Sequence, residues 1–125
     1  QEKVIIYGDY DVDGITSITV LKKFLKTCGL EADYYIPNRL SEGYGLNKAA
    51  IDYIKEKGYE DKIIMATHLL DSMIKGNIAR YTEVESIFSF IVNGIKSFLL
   101  AGETSIGKQP VETFLFLKSL IEYYT

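Results

Sequence analysis

The sequence has no tryptophan, one cysteine, one histidine and two prolines in 125 residues. With Cys28 as the single cysteine no internal disulfide can form, and a reducing, cytoplasmic setting is expected. Basic excess is missing too. Lys and Arg number 14 against 17 Asp and Glu, a net charge of −3. No global basic field draws the chain to nucleic acid or acidic lipid, so a nucleic-acid reading must rest on a local site. No apolar run approaches the roughly 20 residues that cross a bilayer, so no membrane partner is expected. Gln1-Glu2-Lys3 does not open a signal peptide. The chain starts almost directly on a strand, which points to an excised piece. There is no long linker, no low-complexity tract and no repeat beyond an alternation of strand and helix. With 47% hydrophobic residues the length suits one domain with one core.

What is present is a regular pattern. Val4-Ile5-Ile6-Tyr7 is a short apolar run ending at Gly8 and reads as a buried strand. Ile15, Ile18, Leu21, Phe24, Leu25 and Cys28 mark one face of a helix, and Gly29 stands where a left-handed cap belongs. Ala32 to Ile36 reads as a second strand, stopped by Pro37. Asn47 can cap a second helix with a stripe of Leu46, Ala49, Ala50, Tyr53 and Ile54, ended by Gly58. Ile63-Ile64-Met65-Ala66 is a third strand, and His68 to Ile74 a short helix ended near Gly76. Thr82 and Glu85 have capping-box spacing before a stripe of Val84, Ile87, Phe88, Ile91 and Val92, closed by Gly94. Phe98-Leu99-Leu100-Ala101 is a fourth strand. Pro110 opens a last helix that is expected to pack Val111, Phe114, Leu115 and Ile121.

Buried strands alternating with amphipathic helices predict an α/β protein with a parallel sheet. Four strands cannot close an eight-stranded barrel. The expectation is an open, doubly wound parallel sheet of four strands in order 2-1-3-4, with right-handed crossovers and helices on both faces, in a single domain over residues 1–125.

Asp9, Asp11 and Asp13 alternate in Gly8-Asp9-Tyr10-Asp11-Val12-Asp13-Gly14, at the carboxyl end of the first strand. Ligand sites of open α/β sheets lie at that edge, and hard divalent cations want clustered carboxylate oxygens. A helix cap accounts for one of these aspartates and poorly for three. An EF-hand loop would need an acidic residue at its twelfth position, which counted from Asp9 is Val20.

The run from Ile5 to Ser17 resembles motif one of RecJ-type single-strand-specific exonucleases of the DHH phosphoesterase family. Tyr34-Tyr35-Ile36-Pro37-Asn38-Arg39, followed by Glu42-Gly43-Tyr44-Gly45-Leu46, resembles a second signature of the same family. The resemblance covers about residues 1–60. It implies manganese or magnesium bound by Asp11 and Asp13 with Asp9 adjacent, Arg39 near the phosphates, and a metal-activated water attacking a phosphodiester. The family's Asp-Cys-Gly at the end of strand three is Ala66-Thr67-His68 here, and its Asp-His-His does not occur in these residues.

From Lys62 onward the chain is similar to the last two βα units of the pyruvate kinase barrel. Ile63 to Lys75 and Leu99 to Glu112 carry that resemblance, with Thr67 matching an active-site threonine. Asn77-Ile78-Ala79-Arg80 departs from it, as does Ala101. The lysine and carboxylates that carry the kinase chemistry are on strands this chain does not have, so phosphoryl transfer from phosphoenolpyruvate is not expected. Gly102-Glu103-Thr104-Ser105-Ile106-Gly107-Lys108 also fits Gly-x4-Gly-Lys, which makes Gly102, Thr104, Gly107 and Lys108 candidate phosphate- or nucleotide-binding residues. Gln109 replaces the magnesium-binding Ser/Thr and Pro110 removes an amide, which leaves weak anion binding. His68 reads either as a helix-start residue or as a neighbour of Asp11 and Asp13.

Two resemblances meeting between Tyr59 and Lys62 lead to one expectation: an engineered chimera of fragments 1–60 and 62–125. It would have no catalytic residues and no evolved activity, and would keep an incomplete loop that binds manganese or magnesium weakly. The alternatives are a RecJ-like metal-dependent phosphoesterase acting on single-stranded DNA, and a phosphate- or nucleotide-binding module using residues 102–109. Nucleic acid is a partner only under the first alternative. Exposed edge strands make self-association an expectation.

Overall fold

The computed structural model describes residues 3–38, 48–59 and 62–125. Ten elements follow one another: β1 (Val4–Gly8), α1 (Val12–Thr27), β2 (Ala32–Tyr35), α2 (Lys48–Glu56), β3 (Ile63–Ala66), α3 (Asp71–Ile74), α4 (Tyr81–Val92), β4 (Ser97–Phe98), α5 (Gly102–Ser105) and α6 (Pro110–Tyr124). Among the described residues the strands form a four-stranded sheet in the order β2-β1-β3-β4, parallel throughout. That is the predicted sheet. Contacts group the chain into two compact units, Gln1–Thr67 with Ile95–Leu99, and His68–Gly94 with Leu100–Thr125.

The first unit holds the sheet with α1 and α2. Side chains alternate across a strand, so β1 sends Val4 and Ile6 to one face and Ile5 and Tyr7 to the other. Ile6 packs with Ile18 of α1, Ala32 and Ala66, ringed by Val4, Leu21, Leu25, Ile36 and Leu99. On the opposite face Tyr7 stacks on Tyr35, its register partner in β2, at 5.6 Å between ring centroids. Tyr35 in turn meets Tyr53 of α2 at 5.5 Å. Helices therefore cover both faces of this sheet, as the alternating pattern predicts. The ends of α1 and α2 also follow the sequence. After α1, Leu30 N donates to Leu25 O (2.9 Å) and Gly29 N to Lys26 O (3.0 Å), and Gly29 takes a φ of 79°. This is a Schellman cap, which needs a left-handed residue. Gly58 plays the same part after α2, with a φ of 83°.

Several boundaries and stripes differ from the sequence reading. On α1 only Gly14 and Ile18 are buried, with Leu21 and Leu25 half-buried, while Ile15, Phe24 and Cys28 are exposed. A helix crossing a narrow sheet touches it with fewer residues than its apolar content suggests. On α2 the buried residues are Ala50, Ile51 and Ile54, while Tyr53 lies nearly half exposed. The expected cap Asn47, Leu46, and Arg39 lie outside the described residues. Strand four is shorter than Phe98–Ala101. It pairs at Ser97 and Phe98 and adds a bond from Leu99 N to Met65 O (2.9 Å) before the chain turns into α5.

The second unit is helical. α3 starts at Asp71, three residues later than expected. α4 opens two residues before the predicted Thr82–Glu85 box, because Glu83 at its third position accepts from Arg80 N at 2.7 Å. Ile87 and Ile91 are buried as predicted, with Phe90 in place of Phe88. Pro110 does begin α6, yet the buried residues are Thr113 and Leu117. Val111, Phe114 and Leu115 are more than half exposed. Thr113 can be buried because its hydroxyl donates to Gln109 O (2.8 Å), so the helix presents a different face from the most apolar one. No described helix is long and apolar enough to cross a membrane.

Candidate metal-binding loop

The acidic loop leaves the carboxyl end of β1 under tight steric control. A Cβ at Gly8 would lie 2.8 Å from Ile18 Cδ1 and 3.1 Å from Ala66 O. A Cβ at Gly14 would lie 2.2 Å from Asp9 O, a distance real atoms do not adopt. The first turn of α1 is thus pressed against the backbone of Asp9, and only glycine permits the approach.

This packing gives the three aspartates three environments. Asp9 is 3% exposed, and the Thr67 hydroxyl, just past β3, donates to its carboxylate. Parallel pairing of Gly8 with Ala66 sets that meeting. Asp11 is half-buried and caps α1, its Oδ1 accepting from Gly14 N at 2.7 Å. Asp13 is exposed in the first helical turn, where the helix dipole favours a negative charge. Among the described residues no group of three or more His, Cys, Asp or Glu is placed to hold a metal ion.

The donor set is nevertheless of the hard oxygen type that manganese and magnesium prefer. Magnesium-like cations are commonly held by one or two carboxylates with water completing the shell. Asp11 and Asp13, the two aspartates of the loop that are not fully buried, are donors of that type.

The Gly-x4-Gly-Lys segment is built differently from an open phosphate loop. Gly102 and Thr104 lie in the helical turn α5, and the Thr104 hydroxyl donates to Ala101 O at 3.2 Å. Gly107 passes close over that turn, since a Cβ there would lie 2.2 Å from Glu103 O. Lys108 N donates to Ile74 O at 2.9 Å. Sequence reasoning passed over the central residue, Glu103. It is 1% exposed, and its carboxylate accepts from Leu69 N (2.9 Å), Leu70 N (3.2 Å) and Ala101 N (3.1 Å). Three amides of the kind that would cradle an anion are filled by the chain's own carboxylate. The one available signal was an acidic residue inside a glycine-bounded loop read as anion-binding. His68 stands at the start of α3 with Nδ1 3.9 Å from Asp71 Oδ1.

With this geometry in place, comparison with known proteins gives the family. The DHH family, N-terminal domain, matches residues 3–107, and the chain belongs to it. The single-stranded-DNA-specific exonuclease RecJ of Bacillus subtilis is 51% identical over 59 residues, 47% of this chain and 8% of that protein. The pyruvate kinase of Thermotoga maritima is 36% identical over 64 residues, 51% of this chain and 14% of that protein. A solved structure of exonuclease RecJ bound to manganese aligns with 74% of this chain and 21% of its own, at 25% identity and a TM-score of 0.49. The chain thus spans about a tenth of the length of the RecJ relative. Both resemblances read in the sequence are present. The DHH match runs across residues 59–62, where a join between two origins was expected, and favours the phosphoesterase alternative over an engineered, inactive chimera.

Proposed function

We propose that the chain carries the metal-binding segment of a RecJ-like phosphoesterase acting on phosphodiesters of single-stranded DNA. The observation that supports this most is the acidic loop itself, at the carboxyl edge of a parallel sheet in a chain of the DHH family. Asp11 and Asp13, with Asp9 adjacent, would hold one manganese or magnesium ion. Such a cation polarises a phosphoryl oxygen or lowers the pKa of a bound water. Asp9, tied to Thr67, fixes the loop. Asp11 and Asp13 have the solvent-facing positions from which a hydrated ion can be held. These 125 residues contain one histidine and no Asp-His-His, so the segment binds a cation and does not by itself complete a centre that cuts DNA.

The test is thermal unfolding with and without manganese. A Kd near ~1 mM would stabilise the fold by about 1.4 kcal/mol at ~10 mM metal, a Tm rise of roughly 3–8 °C. The double variant D11N/D13N should show no rise. A parent Tm indifferent to manganese would remove the site. Manganese-dependent degradation of single-stranded DNA, lost in the double variant, would show that these residues complete the catalytic centre after all.

The pyruvate kinase similarity over half of the chain favours a second reading of the later residues. In it, residues 62–125 supply sheet and helices and take no part in phosphodiester chemistry. Unchanged manganese binding after substitution of Lys108 and Thr104 would be expected on that reading, and a loss would contradict it.

A further inference from the structure

The amino-terminal edge of the same sheet, opposite the acidic loop, carries a second feature. Lys3 precedes β1, Ile5 lies in β1 across from Asp33 of β2, and Tyr53 belongs to α2. Lys57 and Tyr59 follow within the turn that Gly58 closes. Together with Tyr34 they line a half-open cleft of about 360 Å³. That is at the small end of the range of ligand pockets.

The chemistry of the lining is mixed in a particular way. Two lysines and one aspartate are the charged residues among the described lining of the cleft. Tyr53 is 46% exposed, and Lys57 Nζ lies 5.6 Å from its ring centroid. The Tyr59 hydroxyl donates to Asp33 Oδ2, which holds that carboxylate in the cleft while its lone pairs can take a further donor. A half-exposed tyrosine ring, two lysines and an acceptor lining one small cleft match three parts of one ligand: a planar base, a phosphate and an exocyclic amino group.

We propose that this cleft binds a nucleoside monophosphate, with the base against Tyr53, the phosphate on Lys57 and Lys3, and a base amino group on Asp33. The inference does not rest on the acidic loop or on phosphoesterase activity. It is tested in chelator, where metal binding at the other edge is silent.

The experiment is an amide-resolved NMR titration of the full chain with deoxyadenosine 5′-monophosphate, and separately with deoxyadenosine and with inorganic phosphate. The expected result is saturable shifts at Ile5, Asp33, Lys57 and Tyr59 with the monophosphate. Each fragment alone should bind roughly tenfold more weakly, because stacking and ion pairing contribute separately. Lys57 is exposed just past α2 and Lys57→Ala should leave the fold intact. It should weaken the monophosphate roughly fivefold or more and leave deoxyadenosine unchanged. Tyr53→Leu should weaken deoxyadenosine. The proposal is overturned by an absence of saturable shifts, by shifts confined to other parts of the chain, by phosphate binding as tightly as the monophosphate, or by indifference to Lys57→Ala.

Discussion

At Gly14 the difference between a hydrogen and a methyl group decides whether the acidic loop can close. The α1 turn lies so near the Asp9 backbone that no side chain fits, and the contact is with backbone atoms that cannot swing aside. Gly14→Ala should therefore cost roughly 1–3 kcal/mol or more, the range for forcing an extra carbon into packed structure. Urea unfolding measures it, and a variant with the parent's midpoint would mean that the loop is not packed this way. The glycine was visible in the sequence as the end of Asp-x-Asp-x-Asp-Gly, and the three aspartates pointed to the right strand edge. Their separate tasks were not visible. Thr67 lies 58 positions from Asp9 and meets it only because β1 and β3 pair in register. Glu103 is hidden for the same reason, since the amides of Leu69 and Leu70 that it satisfies are more than 30 residues away.

Among the elements, α4 shows how a helix start is chosen. Its first turn lacks a good capping side chain at Arg80, yet Glu83 compensates from within. Burial alone would push the Glu83 carboxyl up. The Ser72 hydroxyl (2.5 Å), Ser72 N (2.8 Å) and Arg80 N (2.7 Å) all donate to it, and with the Arg80 charge they bring it below its ordinary value of 4.5. The sign follows from linkage. A carboxylate whose folded pKa is depressed contributes stability that is complete above the unfolded pKa, and this is lost as pH falls through the folded one. Unfolding midpoints measured from about pH 6 down to about pH 3 should therefore drop less steeply in Glu83→Gln than in the parent. Parallel curves would show that Glu83 is not held in this way. The sequence contained Thr82 and Glu85 at capping-box spacing, two residues too late. Ser72, the partner that decides the matter, sits in α3. Periodicity located α4 and α6 and found Ile87 and Ile91 of α4, but it took Phe88 for Phe90 there and misjudged the buried face of α6. An apolar count does not register that Thr113 can satisfy its hydroxyl inside its own helix while Phe114 and Leu115 face solvent.

For the molecule as a whole, the strand order was legible because buried β runs, helical stripes and short connections leave few topologies. The grouping of contacts was not. The pattern reads as a single domain over residues 1–125, built from fragments 1–60 and 62–125, whereas the contacts form two compact units and return to the first for Ile95–Leu99. β4 is short, but it pairs with β3, its follower Leu99 packs on the Ile6 core, and Ile95 is 1% exposed. The first unit therefore depends on residues from the later sequence. A chain ending at Thr67 would lose those pairings and leave Ile63-Ile64-Met65-Ala66 as an open, apolar edge. It would also fall to a size at which a single core gives only marginal stability. Such a truncated chain should show no cooperative thermal transition and should aggregate, with poorly dispersed amide signals. In the full chain, Leu99→Ala should cost roughly 1–3 kcal/mol, less than a fully buried leucine because Leu99 is half-buried. A sigmoidal melt and a dispersed spectrum for residues 1–67 alone would make the scaffold of the acidic loop autonomous, and would return β4 to the status of a dispensable edge.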